Sequence, residues 1–150
     1  MSVSFQIVSS PKDFQTAREL FEEYAAALNV DLCFQGFDEE LKTIHLQYNL
    51  PKGCLVLVRE NEKIIGCAAI REFENLSCEL KRMYLKPEFR GKGIGKKLLQ
   101  FMFEKAKTLG YSKMLLDTLP LMKEAQHLYL QFDFRQELHC FHKITYSFFW

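Results

Sequence analysis

Met83-Tyr84-Leu85-Lys86-Pro87-Glu88-Phe89-Arg90-Gly91-Lys92-Gly93-Ile94-Gly95-Lys96 decides how this chain reads. An apolar strand runs into Pro87, a short polar loop follows, and the longest helical pattern in the sequence opens on glycines. Of seven glycines, three fall at 91, 93 and 95. Residues without side chains let the backbone approach a ligand closely. The first N–H groups of a helix have no intrahelical acceptor, and the macrodipole places partial positive charge there. Together these features form an anion site. Arg90, Lys92 and Lys96 add local charge, so a phosphate or pyrophosphate belongs here.

Two nucleotide motifs do not fit. The dinucleotide fingerprint needs Gly at 96 or 98, which are Lys and Leu, and the Walker A pattern fails at Arg90 and Lys97. The stretch also lies well past the middle of the chain, after a run of strands, where neither fold would put it.

Upstream, Val3 to Val8 reads as a strand, and Ser10-Pro11-Lys12-Asp13 is a helix start. Phe14, Ala17, Phe21, Tyr24 and Leu28 then form one apolar stripe. Residues 29–37 read as a loop. Asp38 is placed to cap a second helix carrying Leu41, Ile44, Leu46 and Tyr48, which Pro51-Lys52-Gly53 ends. Residues 54–59 and 63–71 form a hairpin, and 76–85 a third strand of the meander. Downstream of the helix over 93–109, residues 113–117 read as a buried strand parallel to the one ending at Leu85. Residues 125–131 read as a short helix, and 135–140 and 144–149 as two late strands. The class is α+β: one domain over 1–150, with a mixed, mostly antiparallel sheet flanked by helices on both faces.

Composition sets the outer limits. The chain has 150 residues, 48% hydrophobic and 26% charged, the balance of one globular domain. Net charge is +1, so no global field holds nucleic acid or an anionic membrane. Five widely spaced cysteines without a CxxC, and a start without a leader pattern, point to reduced thiols and a cytoplasmic setting. His139-Cys140-Phe141-His142 matches no usual zinc spacing, so no metal is expected.

The pattern Arg90-Gly91-Lys92-Gly93-Ile94-Gly95 resembles the acyl-CoA loop of the GNAT family of N-acetyltransferases. The resemblance covers nearly the whole chain: Met83-Tyr84-Leu85 is similar to the strand that pairs with pantetheine, and Ala125-Gln126-His127-Leu128-Tyr129 to the helix bearing the general acid. It implies an acyltransferase using acetyl-CoA. Backbone N–H groups from Arg90 through Lys96 would hold the pyrophosphate, and Met83, Tyr84 and Leu85 would line the pantetheine arm, with Met83 or Leu85 polarising the thioester carbonyl. A β-bulge would splay this strand from 113–117 and open a cleft. Tyr129 would protonate the leaving thiolate. Two departures stand out: Met122 where the family often has Asn, and Asp133-Phe134 in place of Gly-Phe.

Other residues extend the site. Glu79, four residues before Met83, shares its side of a regular strand and could accept a proton from the amine through water. It could equally be the ion-pair partner of a nearby basic residue, Lys81, Arg82 or Arg71. Phe34, Phe37 and Arg71 are candidates to line the acceptor pocket, Arg71 by holding an acceptor carboxylate. The expected activity is direct transfer of acetyl to a primary amine of a small-molecule or amino-acid-like acceptor. The alternatives are an acyl-CoA-binding sensor without turnover and a protein or peptide N-acetyltransferase. A homodimer is compatible with the apolar end at Phe148-Phe149-Trp150.

Overall fold

The computed structural model describes residues 2–28, 36–118, 123–132, 134–139 and 144–149. Seven strands form one sheet: β1 (Val3–Ile7), β2 (Cys54–Glu60), β3 (Lys63–Glu74), β4 (Ser77–Leu85), β5 (Lys113–Thr118), β6 (Arg135–His139) and β7 (Ile144–Phe149). The spatial order is β1-β2-β3-β4-β5-β7-β6, with β4 and β5 parallel and the other neighbours antiparallel. The helices are α1 (Pro11–Leu28), α2 (Phe37–Lys42), α3 (Ile44–Gln47), α4 (Ile94–Thr108) and α5 (Lys123–Gln131).

Helix α1 starts as its sequence dictates: the Ser10 hydroxyl accepts the Asp13 N–H at 3.1 Å. Its buried stripe, Phe14, Ala17 and Phe21, joins Ile44, Tyr48, Leu55, Leu57 and Tyr84 on one face of the sheet. The other face packs Val56, Val58, Leu80 and Met114 against Leu98 and Met102 of α4 and Tyr129 of α5. β2 therefore reads as a continuous apolar run because both of its faces are covered.

The single helix expected after Asp38 is instead two short ones. Gly36, in a left-handed conformation, precedes the first turn, so Asp38 lies inside α2 and does not cap it. Thr43 interrupts the run. Its hydroxyl donates to the Glu39 carbonyl and accepts from Gln47 Nε2, both at 2.8 Å, a side-chain alternative to the helical ladder. The break turns Ile44 into the core and leaves Leu46 70% exposed.

The decisive irregularity lies in β4. Tyr84 pairs with Cys67, but Lys81 pairs with Ala69, so β4 carries one more residue than β3. Arg82 sits at this bulge with φ 53. Its guanidinium donates to both carboxylate oxygens of Glu40, at 2.8 and 2.9 Å, and Glu40 also accepts the Tyr48 hydroxyl at 2.9 Å. The rings of Tyr24 and Phe37 flank the cation. Burial disfavours the Glu40 charge, but the Arg82 bonds and charge outweigh it and hold the carboxyl below its ordinary range.

The bulge also changes the phase of the strand. Cys78 and Leu80 face α4, and so do Met83 and Leu85, an odd step of three. Glu79 therefore lies on the opposite face from Met83, against the expectation for a regular strand.

Removing one member of a buried pair costs about 3–5 kcal/mol. Glu40→Gln should lose that much unfolding free energy at pH 7 in urea denaturation. A carboxyl depressed in the folded state stabilises above its unfolded pKa and loses that contribution as pH falls through the folded value. The gap between wild type and variant should therefore narrow in acid.

Candidate active site

The register pairs of β4 with β5 run from Ser77↔Lys113 to Leu80↔Leu116 and stop there. Beyond Leu80 the bulge carries β4 away, and the two parallel strands open into a wedge. Met83 and Leu85 stand on its β4 wall, and α4 begins at its mouth.

A 3-10 turn, Pro87–Phe89, joins β4 to the glycine loop. The Arg90 N–H closes this turn onto the Pro87 carbonyl at 3.2 Å. The next amide with an acceptor is Lys97, bonded to the Gly93 carbonyl at 3.3 Å. The amides of Gly91, Lys92, Gly93, Ile94, Gly95 and Lys96 make no hydrogen bond among the described residues. The donor row expected from Arg90 thus begins one residue later, because Arg90 spends its N–H on the turn. Gly91 and Gly93 hold φ 76 and 80, which a residue with a Cβ adopts only at a cost of about 1–2 kcal/mol. Such a run of amides is the kind of concavity that takes an anion.

Side chains confirm how tightly the loop meets the strand. A Cβ on Gly95 would stand 3.8 Å from Leu128 and Leu85 and 3.9 Å from Met83. The loop, the end of β4 and helix α5 therefore converge on one spot. Arg90 is exposed, donates to the Leu85 carbonyl at 2.9 Å, and lies over the Tyr84 ring. Lys92 lies over the Phe89 ring, and Lys96 is exposed. The Tyr84 side chain leaves the wedge. It is buried on the α1 face with its hydroxyl donating to Glu23 at 2.6 Å, and burial, with Glu23 beside it, pushes the phenol up to about 12. Tyr84 can serve a ligand only through its backbone.

Tyr129 is buried among Phe134 and Tyr146, its neighbour Leu128 touching the Gly95 position. Burial, followed by the nearby phenols of Tyr24 and Tyr146, raises its pKa well above 10. The group keeps its proton at neutral pH, as a proton donor must.

Glu79 and Arg71 are direct cross-strand partners, with Arg71 Nε 3.2 Å from Glu79 Oε1 and Arg71 also donating to Gln47 at 2.8 Å. Each of the two candidate side chains thus engages the other. Phe37 is buried against Arg82. Phe34, Met122, Asp133, Cys140, Phe141 and His142 lie outside the described residues, as do the side chain of His139 and residue Trp150. Lys81 and Arg82, read from the sequence only as possible ion-pair partners of Glu79, stand at the bulge on the α2–α3 face. Their signal is the odd apolar step from Leu80 to Met83.

A sequence model of the acetyltransferase (GNAT) family matches residues 17–134. The chain belongs to the GNAT family. It is 35% identical to an uncharacterised N-acetyltransferase of Schizosaccharomyces pombe over 136 residues, 89% of this chain and 83% of that one. The GNAT fold is equally plain in solved structures. An acetyltransferase of GNAT family from Staphylococcus aureus superposes with a TM-score of 0.81 at 19% identity, covering 97% and 98% of the two chains. The PaiA N-acetyltransferase of Thermoplasma acidophilum, in complex with coenzyme A, gives 0.79 at 20% identity over the whole of both chains. This GNAT member is an acetyltransferase.

Gly93 and Gly95 should respond differently to alanine. Gly93→Ala forces a left-handed residue and should cost about 1–2 kcal/mol in urea denaturation. Gly95→Ala meets only ordinary contacts and replaces a helical glycine, so it should be neutral or gain up to about 1 kcal/mol.

Proposed function

We propose that this protein transfers the acetyl group of acetyl-CoA to the primary amine of a small, amino-acid-like acceptor, in a ternary complex without a covalent enzyme intermediate. The observation that carries the reading is the run of amides from Gly91 to Lys96, without a hydrogen bond among the described residues, at the mouth of the β4–β5 wedge. These amides would hold the pyrophosphate. The backbone of Met83 to Leu85 would pair with the pantetheine arm as an added strand does, and the Met83 or Leu85 N–H would stabilise the charge developing on the thioester oxygen. The Thermoplasma relative in complex with coenzyme A supports the choice of carrier.

In this reading the neutral amine attacks the thioester carbon, a new C–N bond forms, the C–S bond breaks, and the proton that the nitrogen sheds as the amide forms passes to solvent, from which Tyr129 is reprotonated. Tyr129, which retains its proton at neutral pH, would give it to the departing thiolate. Glu79 would take the proton from the incoming ammonium through water. It stands on the rung opposite Leu115, one before the β4–β5 ladder ends, so its place at the head of the wedge supports this role in spite of its phase. Three cysteines among the described residues, Cys54, Cys67 and Cys78, are buried with thiol pKa values raised by burial, which suits a reaction that does not use them. Among the described residues no helix is long and apolar enough to cross a membrane. We place the reaction in the cytoplasm and read 1–150 as one catalytic unit.

Calorimetry with CoA and a thiol-release assay over a panel of amines test the reading. CoA should bind, and acetyl-CoA should release thiol only with an acceptor present. Tyr129→Phe should lower kcat by about 10²–10⁴-fold with CoA affinity unchanged. Absence of CoA binding, or binding without turnover of any amine, would overturn it.

A further inference from the structure

The α2–α3 face of β4 carries a second, polar feature that the loop and Tyr129 do not use. Three cations and two carboxylates gather there: Arg71, Lys81 and Arg82 with Glu40 and Glu79. Arg82 takes both oxygens of Glu40, and Arg71 takes Glu79. Lys81 is half-buried and forms no ion pair or hydrogen bond among the described residues. It is also the first residue of β4 beyond the last rung shared with β5, directly before the bulge. Lys81 thus stands at the apex of the wedge without an ion-pair partner among the described residues. Its environment leaves the charge unsatisfied: burial and then Arg82 work against the protonated form, and Glu79 offsets them only in part.

Burying a charge without a partner is costly. A site that keeps such a charge at the closed end of a cleft is fitted to receive an anion from outside. Lys81 precedes Met83 by two residues across the bulge, so it lies next to the strand segment that would hold the thioester. We infer that Lys81 binds the carboxylate of the acceptor, so that the enzyme selects amines carrying a carboxylate over plain amines. This replaces Arg71, which Glu79 occupies, as the carboxylate-holding residue. The inference rests on the transferase reading above and deepens it.

The test is a thiol-release assay on acceptor pairs that differ only in a carboxylate, such as β-alanine against ethylamine and 4-aminobutyrate against propylamine. Wild type, Lys81→Met, Lys81→Gln and Lys81→Arg are compared, with CoA calorimetry and thermal melts on each. A charged hydrogen bond gives a preference of about 10–100-fold in kcat/KM, and wild type should favour the carboxylate member by that factor. Lys81→Met and Lys81→Gln should abolish the preference through KM for that member, leaving the plain amine, CoA affinity and the melting temperature unchanged. Lys81→Arg should restore the preference. Equal use of both members by wild type, or a preference that survives in the neutral variants, overturns the inference alone. CoA binding with no amine turned over overturns the transferase reading, and the inference with it.

Discussion

Arg82 and Glu40 hold this molecule in the shape that matters. A side-chain-bearing residue pays for φ 53, and β4 would otherwise continue its ladder with β5. The two-pronged bond to Glu40, reinforced by Tyr48 and enclosed by Tyr24 and Phe37, makes the extra residue the stable arrangement. It also ties α2 to the strand, so a helix far from the glycine loop in sequence governs where β4 parts from β5. The wedge, and the turn of Met83 and Leu85 toward α4, follow from that one irregularity.

The anion-binding half of the site was legible because its cause is local. Glycines at 91, 93 and 95 beside basic residues specify a backbone conformation without help from the rest of the chain, and φ values of 76 and 80 at Gly91 and Gly93 are the direct result. The strand order was legible for a similar reason: apolar runs separated by turn residues such as Asn61 and Asn75 set the meander, and both adopt positive φ. The partnership of Arg82 with Glu40 was not legible, because 42 residues separate them and the sequence between them does not state which face each presents. The same gap misled the reading of Glu79, whose phase relative to Met83 depends on the bulge. The break at Thr43 escaped because apolar spacing alone continued across it.

The two sides of β4 beyond the ladder differ in kind. Toward α4 the strand offers Met83 and Leu85, apolar and close to the loop. Toward α2 and α3 it offers Arg82, bound to Glu40, beside the Arg71–Glu79 pair that crosses from β3. One strand thus presents a lipid-like wall to a long flexible carrier and an ionic floor to whatever meets it. Local charge of this sort coexists with a net charge of only +1.

The short β4–β5 ladder has a mechanical meaning as well. The strands β1 to β4 form one plate and β5, β7 and β6 another, and the direct seam between them runs only from Ser77 to Leu80. A molecule lodged in the gap would complete the sheet where the chain itself leaves it open. Such a guest is a keystone: by linkage, whatever binds the folded chain in the gap also braces the arch.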